Sequence, residues 1–195
     1  MRRVLLATQN PGKIVELQRI LGGAIELVAI GAQYVPGPET GASFEENALA
    51  KAVEGVRATG LPTVADDSGL AVDALNAMPG VLSARWAGRH GDDLANLALL
   101  LAQTTDVPDG RRGAGFVCAA AYALPDGRSA VVRGELRGML AREPRGAGGF
   151  GYDPILVPVG LDVTTAELEP ADKDRISHRG KAFRLLAPQL LEALS

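Results

Sequence analysis

Residues 113–140 read GAGFVCAAAYALPDGRSAVVRGELRGML and contain two strand-like runs on either side of Pro125-Asp126-Gly127. Proline, aspartate and glycine are typical turn residues, because each favours the backbone angles of a tight turn. Two such runs joined by a short turn predict an antiparallel β-hairpin, with strands over 113–124 and 129–140. The hairpin decides the fold class, because it adds antiparallel pairing to the sheet that the rest of the chain forms.

The N-terminal segment predicts a β-α-β unit. A short apolar strand over 3–8 precedes a helix over 12–23, whose apolar residues recur at helical spacing, and a second strand follows over 25–30. Two strands joined by a helix pair in parallel. We therefore predict an α/β fold with a mixed β-sheet and flanking helices, formed as a single domain over residues 1–195.

Capping signals begin two further helices. Ser43 and Glu46 form a capping box, and Asp92 or Asp93 can cap the second helix. A third helix, at the C-terminus, contains Pro188, which predicts a kink or an early start. The three helices are predicted over 44–60, 93–103 and 178–194.

The composition favours a globular protein of the cytoplasm. Apolar residues make up 47% of the chain, which is enough to build a core. The net charge of −3 argues against a constitutive binder of duplex nucleic acid. No apolar run approaches the ~18–20 residues of a membrane span. Cys118 has no partner for a disulfide, which fits a reducing compartment. We expect no stable binding to nucleic acids or membranes.

Two loops near the N-terminus could bind an anion and a cation. Residues 8–13, TQNPGK, turn from a predicted strand into a predicted helix, where backbone N–H groups and Lys13 can face an anion. An ordinary strand-to-helix turn explains this pattern equally well. Glu39 lies in GPETG, residues 37–41, and its plainer interpretation is a solvated loop acid.

Asp66 and Asp67 follow a predicted strand over 61–65. If the strand continues, the two side chains point to opposite faces of the sheet, and if it ends there, both can face one cavity. Paired acids at a strand end suit Mg²⁺, which takes one or two carboxylates and keeps positions for phosphate oxygens. A turn before Ser68-Gly69 is the structural alternative.

The glycine-rich segment 146–151, GAGGFG, matches a dinucleotide-binding pattern, but no strand clearly precedes it and no helix follows. We interpret the match as false. Phe150 or Tyr152 could stack on a base, and a hydrophobic plug is the alternative. His178 and Arg179 stand at a predicted helix start, where a positive group is unfavourable unless an anion lies nearby.

These loops contain carboxylates, Lys and Arg side chains, small polar groups and one or two aromatic rings. The chain has only two histidines and no Cys/His cluster, which makes a zinc site improbable. The residue types instead favour magnesium-assisted chemistry on the phosphate chain of a nucleotide.

Six motifs in order closely resemble the inosine triphosphate pyrophosphatase family, from about residue 3 to residue 190. They are TQNPGK at 8–13, FEENALAKA at 44–52, ADDSGLAVDAL at 65–75, PGVLSARWAG at 79–88, GGFGYDPI at 148–155 and ISHRGKA at 176–182. The resemblance implies an α/β fold whose long, twisted mixed sheet lies between two lobes around a central cleft. It also implies a homodimer that uses Mg²⁺ to hydrolyse ITP, dITP and XTP to the monophosphate and pyrophosphate, which keeps these bases out of DNA and RNA.

The same resemblance implies roles for individual residues. Asp67 is the implied catalytic base and, with Glu39, a ligand of Mg²⁺. Asp66 and Arg85 are implied supporting residues. The implied substrate-binding residues are Thr8, Gln9, Asn10, Pro11, Gly12, Lys13, Ser68, Phe150, Gly151, Tyr152, Asp153, Lys173, His178 and Arg179.

Two other functions stay open at this level. A Maf-like pyrophosphatase would act on UTP or modified pyrimidines, but its opening motif resembles Ser-x-Ser-Pro-Arg, which TQNPGK does not match. A non-enzymatic nucleotide-binding module would release no pyrophosphate and would not need the acids at Asp66 and Asp67.

Overall fold

The computed structural model describes residues 3–8, 14, 15, 18, 25–29, 34 and 36–195. The strands are β1 Arg3–Leu6, β2 Glu26–Ala29, β3 Thr63–Val72, β4 Gly113–Ala123, β5 Ser129–Leu140 and β6 Leu156–Pro158. The helices are α1 Phe44–Thr59, α2 Asp93–Gln103, α3 Pro170–Ile176 and α4 His178–Ala193. Short 3₁₀ helices cover Asp73–Leu75, Gly80–Arg85, Asp109–Arg111 and Asp153–Ile155.

The six strands form one mixed sheet in the order β2-β1-β3-β4-β5-β6. β1 pairs in parallel with both β2 and β3, and β5 pairs antiparallel with β6. The predicted hairpin is present, because the Leu124 N–H donates to the Arg128 carbonyl oxygen at 2.8 Å and so closes a short turn. The predicted mixed α/β fold with flanking helices is therefore confirmed.

The helix ends follow the predicted capping chemistry. The Ser43 side chain accepts a hydrogen bond from the Glu46 N–H, and the Glu46 carboxylate accepts one from the Ala42 N–H. α1 then ends at Gly60, whose φ of 69° is a left-handed conformation that glycine adopts without strain. Asp92, and not Asp93, caps α2, because its side chain accepts from the Ala95 N–H at 3.2 Å.

The sequence prediction missed β6 and α3. β6 has only three residues, so it shows no period, and α3 has seven residues without an apolar stripe. The helix at the C-terminus continues through Pro188.

Two compact units divide the described residues. One comprises the described residues of 1–67 with 118–134 and 178–195, and the other comprises 68–117 and 135–177. The first has a core around Val64, Phe183 and Leu186, and the second has a core around Leu70, Leu100 and Ile155. The single domain over 1–195 and the two lobes around a cleft stay predictions. No helix within the described part of the chain is long and apolar enough to cross a membrane.

Gly134 of β5 allows the first turn of α4 to lie directly against the strand. A Cβ atom at this position would collide with the backbone carbonyl oxygen of His178 and would lie 2.6 Å from the backbone nitrogen of Ala182. Real Cβ contacts are not this short, so the close approach requires glycine. The position of the first turn of α4 therefore depends on Gly134.

We predict that Gly134→Ala destabilises the protein by about 1–3 kcal/mol, because the added methyl group forces α4 away from β5. Urea unfolding measures the change. Gly110→Ala is the matched control, since a Cβ atom there would meet nothing within 4 Å, and its stability should change by no more than about 0.5 kcal/mol. Equal stability of the two variants would contradict the close approach.

Candidate functional site

The first predicted motif is only partly visible. Thr8 follows β1 and is half-buried. Gln9, Asn10, Pro11, Gly12 and Lys13 lie outside the described residues. The phosphate-binding role of this loop stays a prediction.

Asp66 and Asp67 lie within β3, which continues to Val72. Neighbouring side chains on a strand point to opposite faces, and the partners of the two acids agree with this rule. Asp66 forms an ion pair with Arg179 of α4, whereas Asp67 accepts a hydrogen bond from Asn47 of α1. The structure thus selects the alternative in which the two acids are not equivalent.

Asp67 belongs to a group of four side chains that we call the carboxylate cluster: Glu39, Asn47, Lys51 and Asp67. The Lys51 ammonium lies 2.8 Å from Glu39 Oε1 and 3.6 Å from Asp67 Oδ1. The Asn47 amide donates to Asp67 Oδ2 at 2.9 Å. The side chains of Lys51 and Asp67 are 11% and 6% exposed, so water screens the attraction between them only weakly. A single positive charge therefore holds both predicted metal-binding carboxylates.

The local fold fixes the orientation of Asn47. The Gly41 N–H donates to Asn47 Oδ1 at 2.7 Å, so the amide NH₂ of Asn47 points to Asp67. Gly41 is needed here, because a Cβ atom would lie 2.6 Å from the same oxygen. Asn47, which donates to the Asp67 carboxylate, is thus itself fixed by the Gly41 N–H.

Burial and charge act in opposite directions on Lys51. Burial lowers the pKa of its ammonium group, but the negative charges of Asp67, Asp66 and Glu39 together outweigh burial and raise the pKa above its usual value. Lys51 is therefore a permanent cation at physiological pH.

Sequence reasoning assigned no role to Asn47 and Lys51, although both occur in the motif FEENALAKA. The sequence nevertheless contained a signal that the two side chains act together. Residues four apart on a helix share a face, and Asn47 and Lys51 are both polar at that spacing. Lys51 is also one of only four lysines in a chain that otherwise uses arginine.

Arg179 lies in the first turn of α4 with its side chain buried. Its Nε atom is 3.3 Å from Asp66 Oδ2, and the two side chains are 6% and 0% exposed. The carboxylate of Asp66 provides the anion that a positive group at a helix start requires. His178, the first residue of α4, is also buried.

Phe150, Asp153 and Lys173 form a second group, which we call the aromatic-loop cluster. Asp153 Oδ2 accepts from the Phe150 N–H at 2.8 Å and from the Lys173 ammonium, and Asp153 Oδ1 accepts from the Thr165 hydroxyl at 2.7 Å. The Lys173 nitrogen lies 5.5 Å from the centre of the Phe150 ring, which is within the range of a cation–π contact. Asp153 therefore orients the loop and the lysine together.

The sequence left open whether Phe150 and Tyr152 stack on a base or form a hydrophobic plug. Tyr152 has the structural role. Its hydroxyl donates to the Ser83 carbonyl oxygen at 2.9 Å, and its ring belongs to the core of its unit. Burial, with a smaller effect from the charge of Asp93, raises the pKa of the Tyr152 hydroxyl. Phe150 is only half-buried, which leaves it as the aromatic ring that can meet a base.

The remaining predicted residues occupy the same unit. Ser68 lies on β3 immediately after Asp67, and Arg85 ends the 3₁₀ helix Gly80–Arg85; both are half-buried. Gly151 lies in the turn after Phe150. The segment GAGGFG is followed by a 3₁₀ helix of three residues, Asp153–Ile155, and not by the α-helix of a dinucleotide site.

Among the residues described, no group of three or more His, Cys, Asp and Glu side chains is arranged to hold a metal ion. The acids that the sequence predicts as ligands, Glu39 and Asp67, converge on Lys51 instead.

Comparison with known proteins gives consistent matches over the whole chain. The model of the Ham1 family matches residues 4–189. A dITP/XTP pyrophosphatase of Nocardia farcinica is 62% identical over 196 residues, which covers 97% of this chain and 95% of that protein. A dITP/XTP pyrophosphatase of Streptomyces coelicolor is 58% identical over an alignment of 199 positions, which covers the full length of both chains.

Solved structures of similar proteins share the fold. The nucleoside-triphosphatase, dITP/XTP pyrophosphatase, of Mycobacterium abscessus is 60% identical with a TM-score of 0.79 and covers 95% of this chain and 99% of its own. The Ham1 protein of Staphylococcus aureus is 37% identical with a TM-score of 0.87, over the full length of both chains. The prediction of a nucleoside-triphosphate pyrophosphatase family from the six motifs is confirmed, and the chain belongs to the Ham1 family.

Proposed function

We propose that this protein hydrolyses the non-standard purine nucleotides dITP, ITP and XTP to the monophosphate and pyrophosphate, and so removes them from the nucleotide pool. The observation that carries the proposal is the 58–62% identity to dITP/XTP pyrophosphatases over nearly the full length of both chains. The carboxylate cluster provides side chains that suit a phosphate chain with its metal ion. The aromatic-loop cluster, considered by itself, provides side chains that suit a purine base.

The carboxylate cluster fits a divalent cation. Glu39 and Asp67 are hard oxygen donors, and both already converge on one positive charge, the Lys51 ammonium. We propose that Glu39 and Asp67 would hold Mg²⁺. When bound, Mg²⁺ neutralises charge on the triphosphate and on the leaving pyrophosphate.

We propose that Asp67 accepts the proton of the water that attacks the α-phosphorus. Asn47 holds one oxygen of this carboxylate through a hydrogen bond, which keeps the base in one orientation. Lys51 lies beside Asp67, where its ammonium could neutralise phosphate oxygens of the substrate. Asp66 takes no direct part in the reaction in this proposal. Its ion pair with Arg179 joins β3 to α4.

In this proposal, two kinds of contact recognise the base. Phe150 stacks on the purine ring, which does not depend on the identity of the base. Hypoxanthine and xanthine carry a 6-keto acceptor where adenine carries an amino donor, and a donor in the site would be left unpaired by ATP. The N–H groups of Phe150 and Gly151 already donate to Asp153 and Asp93. We therefore propose a side-chain donor, the Lys173 ammonium, which lies beside the Phe150 ring and has further N–H groups besides the one that binds Asp153.

Homodimer formation, a cytoplasmic location and the absence of stable nucleic-acid or membrane binding stay predictions from the sequence. So do the supporting role of Arg85 and the substrate-binding roles of Ser68, Gly151, Tyr152, Asp153, His178 and Arg179.

We predict that the wild-type protein releases pyrophosphate from ITP, dITP and XTP when Mg²⁺ is present, and much less from GTP, ATP and UTP. Asp67→Asn should lower turnover by ~10²–10⁴-fold, the usual cost of losing a general base, while nucleotide binding survives. A coupled pyrophosphate assay and calorimetric titration measure the two properties. Asp106→Asn is the control, because Asp106 is exposed and lies outside both clusters.

Each alternative function has its own outcome in this experiment. Preference for UTP would indicate a Maf-like activity, and nucleotide binding without pyrophosphate release would indicate a binding module. Orthophosphate as the product, or full turnover by Asp67→Asn, would contradict the proposed reaction or the role of Asp67.

We predict that Lys51→Met lowers the melting temperature in EDTA and that Mg²⁺ raises it more than in the wild type. Removing the ammonium leaves two acids without their cation, which costs about 3–5 kcal/mol for a buried pair. In a chain of this size, 1 kcal/mol corresponds to roughly 2–4 °C. Thermal unfolding with and without Mg²⁺ measures both effects.

Lys181→Met is the matched control, because Lys181 is an exposed lysine of α4. It should melt like the wild type under both conditions. If Mg²⁺ stabilises Lys51→Met no more than the wild type, the carboxylate cluster is not the metal site.

A further inference from the structure

We propose that Asp93 is a positioning residue for base recognition, which acts by fixing the turn that presents Phe150. This inference rests on the proposed function, because it assumes that Phe150 meets the purine ring. The contact of Asp93 is between its side-chain carboxylate and the backbone of the turn, at the Gly151 N–H.

The peptide groups on both sides of Phe150 are held by carboxylates. The Gly151 N–H donates to Asp93 Oδ2 at 2.8 Å, and the Phe150 N–H donates to Asp153 Oδ2 at 2.8 Å. The two acids come from different elements, α2 and the 3₁₀ helix Asp153–Ile155. The backbone of Phe150 is therefore clamped between two parts of the same unit.

The turn requires such clamping, because glycine dominates it. Gly149 and Gly151 have φ values of 74° and 61°, left-handed conformations that glycine reaches freely. The same freedom gives a glycine-rich turn many alternative conformations of similar energy. A hydrogen bond from a fixed acceptor selects one of them.

α2 provides a fixed acceptor. Asp92 caps its N-terminus, and the buried side chain of Asn96 accepts from the Ala87 N–H at 2.7 Å and donates to the Ala84 carbonyl oxygen at 3.2 Å. Leu100 is fully buried in the core of the unit. None of these contacts involves Asp93, so the helix holds its position without the bond to Gly151, and a group on such an element is placed precisely.

Asp93 is exposed and makes no contribution to the core. A carboxylate in the first turn also interacts favourably with the helix dipole, which is the purely structural explanation for an acid at this position. The two explanations differ in what they predict, because the dipole term affects the stability of α2 and the bond to Gly151 affects the ring of Phe150.

Loss of the bond should weaken base binding equally in the substrate complex and in the transition state, because the base is remote from the reacting phosphorus. Such a change raises KM and leaves kcat unaltered. We expect Asp93→Ala to raise KM for ITP roughly tenfold, the lower end of the effect of a hydrogen bond to a charged group, since this one is exposed.

Steady-state hydrolysis of ITP by three variants tests the proposal. Asp93→Ala should raise KM with kcat within twofold of the wild type. Asp93→Asn keeps a side-chain oxygen that can accept from Gly151, and its KM should stay near that of the wild type. Ala98→Gly lowers the helix propensity of α2 at an exposed position away from Asp93 and should lower the urea midpoint without a change in KM.

A binding measurement without turnover gives an independent readout. By calorimetry, Asp93→Ala should weaken the binding of inosine monophosphate, which contains the base, and leave the binding of inorganic pyrophosphate unchanged. A structural defect of the fold would weaken both ligands.

Three results would overturn the inference: an unchanged KM in Asp93→Ala, an Asp93→Asn variant as impaired as Asp93→Ala, or an equal rise of KM in Ala98→Gly. A wild-type protein that releases no pyrophosphate from ITP would instead contradict the proposed function. An active wild type with an unaltered Asp93→Ala contradicts only the role of Asp93.

Discussion

The alternation of side chains along β3 is the constraint on which the candidate site depends. Because Asp66 and Asp67 are adjacent in one continuous strand, they point to opposite faces, and each binds a different helix. Asp66 holds Arg179 at the start of α4, and Asp67 holds Asn47 and Lys51 of α1. Two adjacent anions that would repel each other in one cavity thus become two separate anchors. In the proposed function, only Asp67 of the two takes part in the chemistry.

The carboxylate cluster pairs the two acids that we propose as metal ligands with a cation of the protein itself. Buried acids without a counter-ion are costly, and the Lys51 ammonium offsets that cost between Glu39 and Asp67. A lysine suits this role, because its ammonium is compact and its long side chain can swing toward another anion. In our proposal, stability without metal and binding of metal depend on the same two carboxylates.

The aromatic-loop cluster solves a different problem, which is to hold a flexible, glycine-rich turn in one conformation. Carboxylates of Asp93 and Asp153 take up the backbone donors on either side of Phe150, and the Tyr152 ring anchors the next residue in the core. The turn therefore has the backbone freedom to approach a ligand closely and the anchors to do so reproducibly. Its order comes from side chains far apart in the sequence.

Much of the fold was determined by the sequence alone. The hairpin over 113–140, the caps of α1 and α2 and the six motifs depend on local residue patterns, so they could be predicted without a structure. β6 and α3 were too short to show a period. The tertiary structure alone decided that β3 continues past Asp67, that Lys51 lies between Glu39 and Asp67, and that Asp93 contacts Gly151. These contacts join residues 12 to 58 positions apart, and a sequence pattern carries no information on which distant side chains meet.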